Sequence, residues 1–123
     1  MKKILIIDDD LTFQKTISDS FKSLGYEVLS ASDGEEGLLA VEKESPDLVI
    51  LDLVMPKLGG MDFLKMLQKD KDSNKIPILI SSNFSGSDKV GEGMTYGVRG
   101  YIVKSEESLK TITNAVESII GKP

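Results

Sequence analysis

Residues 4–10 read Ile4-Leu5-Ile6-Ile7-Asp8-Asp9-Asp10. Four successive apolar residues without polar alternation predict a short strand buried on both faces. Lys2 and Lys3 ahead of the run give it a passing likeness to a secretory leader. Three aspartates end it, which a leader does not tolerate, and no apolar stretch reaches a membrane-spanning length. Outward from this strand the apolar period changes repeatedly. Asp10 is placed to cap a helix with the stripe Phe13, Ile17, Phe21 and Leu24, and Gly25 to end it. Residues 26–30 predict a second strand. Ser32 with Glu35 three residues on predicts the next helix start, Leu38 and Val41 its inner face, and Pro46 its stop. Residues 48–51 form a third apolar run. After a loop with Pro56, Gly59 and Gly60, a helix turns Phe63, Leu64 and Leu67 inward, and its charged tail at 69–75 reads as a solvated turn.

Residues 78–80 and 101–103 predict strands four and five, and Leu109, Ile112, Val116 and Ile119 line one side of a last helix. Gly86, Gly91, Gly93 and Gly97 fall in or beside the expected fourth helix. An interior glycine costs about 1 kcal/mol relative to alanine, so that helix is expected to be short. It reads equally as a loose surface segment and as an element that moves. Strand and helix thus alternate five times, which predicts an α/β fold: a doubly wound parallel sheet covered on both faces, in one domain over 1–123.

Composition narrows the chemistry. Hydrophobic residues make up 40% of the 123, enough for a core at this length. There is no cysteine and no histidine, which removes disulfides, thiolate or imidazole zinc sites, Ser-His-Asp triads and phosphohistidine carriers. A net charge of −5 argues against nucleic-acid binding by this chain alone. A soluble, cytoplasmic protein with no membrane contact is expected.

In open parallel sheets ligands sit beyond the carboxyl ends of the strands. The polar residues at those ends are Asp8 and Asp9 after the first, Asp52 after the third, Ser81 and Ser82 after the fourth, and Lys104 after the fifth. Clustered carboxylates repel and raise one another's pKa, and a divalent cation relieves the repulsion. Oxygen-only ligands favour Mg2+. An aspartate beside Mg2+ can attack phosphorus to form an acyl phosphate, with Lys104 and a serine hydroxyl answering the charge on the phosphoryl oxygens. The carboxylate is itself ionised, so no separate base is needed.

Four pieces carry a family resemblance over nearly the whole chain. They are Ile4-Leu5-Ile6-Ile7-Asp8-Asp9; Asp52 with Met55-Pro56 and Gly60; Pro77-Ile78-Leu79-Ile80-Ser81-Ser82; and Gly100-Tyr101-Ile102-Val103-Lys104. In this order the chain resembles the receiver domain of two-component response regulators. The resemblance implies a flavodoxin-like (βα)5 fold with strand order 2-1-3-4-5. It implies Asp52 as phosphoacceptor and Mg2+ as cofactor. Asp9 and Asp52 would bind the metal directly, Asp8 through water, and Val54 through its backbone carbonyl. Ser82, five residues after Pro77, takes the place of the switch hydroxyl, Tyr101 that of the switch aromatic, and Lys104 that of the paired cation. A histidine kinase or His-containing phosphotransfer protein is the implied donor. Output would pass through the fourth helix, fifth strand and last helix to a protein target or a fused output domain. The domain would accept the group and would not be an enzyme in its own right.

Two departures stand out. Ser105 follows Lys104 where the family usually has proline, so a trans peptide is expected there, with Ser105 capping the last helix ahead of Glu106 and Glu107. Asn83 follows Ser82 where a small residue is usual, narrowing access. Val54 and Phe84 occupy the two positions that modulate hydrolysis in the family. Both are apolar, which implies a long-lived acyl phosphate. The alternative is a degenerate receiver that only binds proteins. An aspartate-nucleophile phosphatase lacks its second acid, since Val54 stands two residues after Asp52. A nucleotide-binding domain would want glycines where Asp8-Asp9-Asp10 stands.

Overall fold

The computed structural model describes residues 1–83, 98–104 and 108–123. In chain order it holds β1 (Lys3–Ile7), α1 (Leu11–Leu24), β2 (Glu27–Ala31), α2 (Gly34–Glu44), β3 (Leu48–Leu51), α3 (Gly60–Lys69), β4 (Ile78–Ser82), β5 (Val98–Val103) and a last helix (Leu109–Ile120). The strands form one parallel sheet in the order β2-β1-β3-β4-β5, the doubly wound (βα)5 arrangement. The expected fourth helix, with Gly86, Gly91, Gly93 and Gly97, lies outside the described residues, as do Phe84, Ser105, Glu106 and Glu107. No helix among the described residues is long and apolar enough to cross a membrane.

The apolar strand runs are buried on both sides because successive side chains point to opposite faces. Leu5, Ile7, Val49, Leu51, Ile78 and Ile80 meet Val41 of α2 and Phe63, Leu64 and Leu67 of α3 on one face. Ile4, Ile6, Leu48, Ile50, Leu79 and Ile102 meet Ile17 and Phe21 of α1 and Ile112 and Val116 of the last helix on the other. Leu24, expected in the α1 stripe, is half exposed, as is Leu109.

Asp10 caps α1, its carboxylate accepting from the amides of Thr12 and Phe13 at 3.1 Å each, and Gly25 ends it at φ 107°. Two expected caps move. Helix α2 is capped by Asp33, which accepts from the Glu36 amide at 2.9 Å, rather than by Ser32. Gly34 explains the choice: a Cβ there would stand 2.4 Å from the Leu58 carbonyl oxygen, so the first turn must begin at this close approach. The last helix is capped by Ser108, three residues beyond the expected Ser105.

Between β4 and β5 the register shifts: Ile78 pairs with Val98, but Leu79 pairs with Gly100. Arg99 is the extra residue of this bulge. Downstream of it Ser82 pairs with Val103, and Tyr101 packs on the α2–α3 face while Ile102 enters the α1 face.

Candidate functional site

Register alone brings the strand-end residues together. Ile7 pairs with Leu51, and Leu51 with Ile80. The Asp52 amide donates to the Ile7 carbonyl at 2.9 Å, and the Lys104 amide to the Ser82 carbonyl at 2.9 Å. Asp8, Asp52, Ser82 and Lys104 therefore share one edge of the sheet. Gly60 closes in behind them. A Cβ on it would lie 2.5 Å from the Asp52 carbonyl oxygen, so only glycine lets the first turn of α3 press against the backbone that carries Asp52. The loop between is tied to α2 by the Gly34 amide on the Leu58 carbonyl at 3.1 Å and by Lys57 on Asp33 at 3.6 Å.

The carboxylate oxygens of Asp8, Asp9 and Asp52 lie within 4.8 Å of one another. Asp8 and Asp52 are buried and Asp9 is exposed. Lys104 reaches in from β5, its Nζ 2.6 Å from Asp8 Oδ2 and 3.4 Å from Asp52 Oδ2. Backbone amides hold the acids: Asp10 donates to Asp8 Oδ1 at 2.9 Å, and Val54 to Asp52 Oδ1 at 3.3 Å. Beside them opens a cavity of about 230 Å³ lined by Asp9, Asp10, Asp52, Val54, Ser82, Asn83 and Lys104.

Burial pushes the Asp52 carboxyl up to about 6; the Lys104 ammonium opposes this, the Asp8 charge adds to it, and the Val54 amide opposes it. Asp8 is also raised, again chiefly by burial, against its bonds to Lys104 and the Asp10 amide. One ammonium thus offsets only part of the cost of burying these charges, and a cluster in that condition is suited to a divalent cation.

All the acids expected at the site converge, with Lys104 among them. Ser82 and Val54 line the same cavity. Ser81 does not: it shares the strand face of Leu79, and its hydroxyl is buried without a hydrogen-bond partner among the described residues. The two serines left open by strand position are thereby told apart. Tyr101 is half-buried outside the cavity, against the α2–α3 core.

Two residues escaped sequence reasoning. Gln14 donates through Nε2 to the carbonyls of Asp8 and Ala31, at 3.0 and 3.1 Å, joining the ends of β1 and β2. Phe13 belongs to the α1 stripe, as its spacing indicates, but its ring also lies 4.6 Å from Lys104 Nζ. Nothing in the sequence flags a contact between residues so far apart.

The model of the response regulator receiver domain matches residues 4–117. The chain is 36% identical over 119 residues to Protein PilH of Pseudomonas aeruginosa, covering 94% of this chain and 98% of that one. It is 40% identical over 104 residues to a Porphyridium aerugineum protein named Probable transcriptional regulator ycf27, covering 84% of this chain. Of that relative's length it spans only 42%. The crystallised chemotaxis protein CheY4 of Vibrio cholerae superposes with a TM-score of 0.90 at 29% identity, over 97% of this chain and 98% of that one. With the strand order and the acid cluster already described, these matches place the chain in the response regulator receiver domain family.

Proposed function

We propose that the chain is a phosphoacceptor whose Asp52 takes a phosphoryl group from a histidine kinase or a His-containing phosphotransfer protein. The observation that carries this reading is the convergence of Asp8, Asp9 and Asp52 with Lys104 beside an open cavity. Asp52 Oδ attacks phosphorus, the bond to the donor breaks, and its electron pair leaves with the donor's nitrogen or oxygen. At neutral pH most Asp52 is ionised even with its pKa near 6, so no base is required. Lys104 sits 3.4 Å from the attacking group and answers charge on the phosphoryl oxygens. Ser82 lines the cavity, within the space where its hydroxyl could donate to the same oxygens.

The donor set fits Mg2+: oxygens only, two of the acids desolvated, and an open side for water. Asp8, Asp9, Asp52 and the Val54 carbonyl would hold it, and when bound it supplies positive charge to the transferred group. The chain is read as a stoichiometric acceptor, not a turnover catalyst. Output is read as passing through the expected fourth helix, which lies outside the described residues, together with β5 and the last helix, with Tyr101 and Ser82 as the coupled switch residues. A cytoplasmic setting follows from the donor chemistry.

Incubation with acetyl phosphate and Mg2+ should add the mass of one phosphoryl group to the intact chain, and Asp52→Ala should abolish the gain. No gain in the unaltered protein would leave the degenerate, protein-binding reading in its place.

A further inference from the structure

We infer that Phe13 is a positioning residue for Lys104, its ring face holding the ammonium in the site when the carboxylates are otherwise engaged. This rests on the phosphoacceptor reading for its consequence, but not for the contact itself. Among the described residues Lys104 Nζ meets Asp8 at 2.6 Å, Asp52 at 3.4 Å and the Phe13 ring centroid at 4.6 Å. The two carboxylates belong to the same acid cluster that suits a divalent cation. Any cation there competes with the ammonium for their oxygens, and phosphorylation of Asp52 changes the charge on the farther of the two again. The aromatic face competes for nothing in that cluster.

An ammonium within about 6 Å of a ring centroid is attracted by the ring's negative face, more strongly where water is excluded. Here the lysine side chain is only 8% exposed. The backbone of Lys104 is tied to the Ser82 carbonyl by its amide at 2.9 Å, and the contacts of its side chain decide where along the cluster the ammonium rests. Phe13 is itself rigidly placed: its amide is bonded to the Asp10 cap, and its ring packs on the core shared by α1 and the last helix. A cap one residue beyond Asp9 thus fixes the start of α1, and α1 carries the seat of the catalytic cation.

The test compares the unaltered chain with Phe13→Leu and Phe13→Tyr, each also made on Lys104→Met. The rate of phosphoryl uptake from acetyl phosphate at saturating Mg2+ should fall about fivefold in Phe13→Leu, equivalent to about 1 kcal/mol. Phe13→Tyr, which keeps the ring, should hold the rate. On the Lys104→Met background the Leu and Phe forms should react alike. Equal losses with and without the lysine would assign Phe13 a merely structural role and overturn the inference. A second readout needs neither metal nor phosphoryl donor. The Lys104 side-chain protons should show an upfield ring-current displacement in NMR spectra that Phe13→Leu removes and Phe13→Tyr retains; its absence from the unaltered chain overturns the inference. Failure of the unaltered chain to take up phosphate while the displacement is present would sink the acceptor reading and leave the seat standing.

Discussion

Asp52 carries a proton-linked cost that sets how stability depends on pH. Its carboxyl is pushed up to about 6 in the folded chain against 3.8 as the ordinary value. Between those values the folded state holds more protons than the unfolded, so stability from this group is greatest below about 3.8 and is lost as pH rises toward 6. Asp33 works the other way. Its carboxyl is lowered, first by the Glu36 amide it caps and also by Lys57, so its contribution is present at neutral pH and fades as acid titrates it. Asp52→Asn should therefore raise unfolding free energy near pH 7 by up to about 3 kcal/mol, with little change below about pH 4. Urea titrations of both proteins at the two pH values check this; an equal gain at both would mean that charge is not the cause. Ser81 presents a different cost. Its hydroxyl is buried and unpartnered among the described residues, so Ser81→Ala is expected to be neutral or stabilising by up to about 1 kcal/mol. A clear loss of stability in thermal melts would show that the hydroxyl has a role.

At the scale of elements, the junction of β3, its loop and α3 positions the acceptor. Gly60→Ala would set a methyl 2.6 Å from Leu53 Cα and 2.5 Å from the Asp52 carbonyl oxygen. Backbone lies on both sides, so α3 has to shift. A loss of about 1–3 kcal/mol is expected, with slowed phosphoryl uptake because Asp52 moves with its backbone. Unfolding and uptake assays on one preparation would detect both, and an unchanged uptake rate would separate the helix from the site. Much of this level was legible in the chain. The apolar strand runs, the Asp10 cap and the Gly25 stop each have one local cause, which a single sequence carries. Asp33 and Ser108 were not singled out because good capping residues stand close together at both places. Tertiary contact selects among them, as the approach of Gly34 to Leu58 does for α2. The acids and Lys104 were readable because strand ends in a parallel sheet share an edge. Phe13 over Lys104 was not, since it depends on how far α1 sits from β5.

Across the whole molecule the sheet divides two cores while every central strand feeds both. Phe21 lies in one and Phe63 in the other, each almost fully buried. Phe21 also meets the Tyr26 ring edge-on at 5.6 Å between centroids. Because Leu5 and Ile6, or Val49 and Ile50, are neighbours in one strand yet serve opposite cores, neither core can melt alone. Phe21→Ala and Phe63→Ala should each cost about 3–5 kcal/mol and shift one shared denaturation curve without splitting it. A biphasic curve in either variant would show two independently unfolding halves.

The extra residue at Arg99 makes β5 a strand governed by parity. Beyond it, odd and even positions trade sides, and Lys104 inherits its inward direction from that exchange. Losing one residue between Val98 and Lys104 would hand the ammonium's place to a neighbour and send the lysine to the wrong side. Losing two would restore the alternation at the expense of reach. The number of residues in this strand, and not only their identity, thus decides which side of the sheet the ammonium reaches.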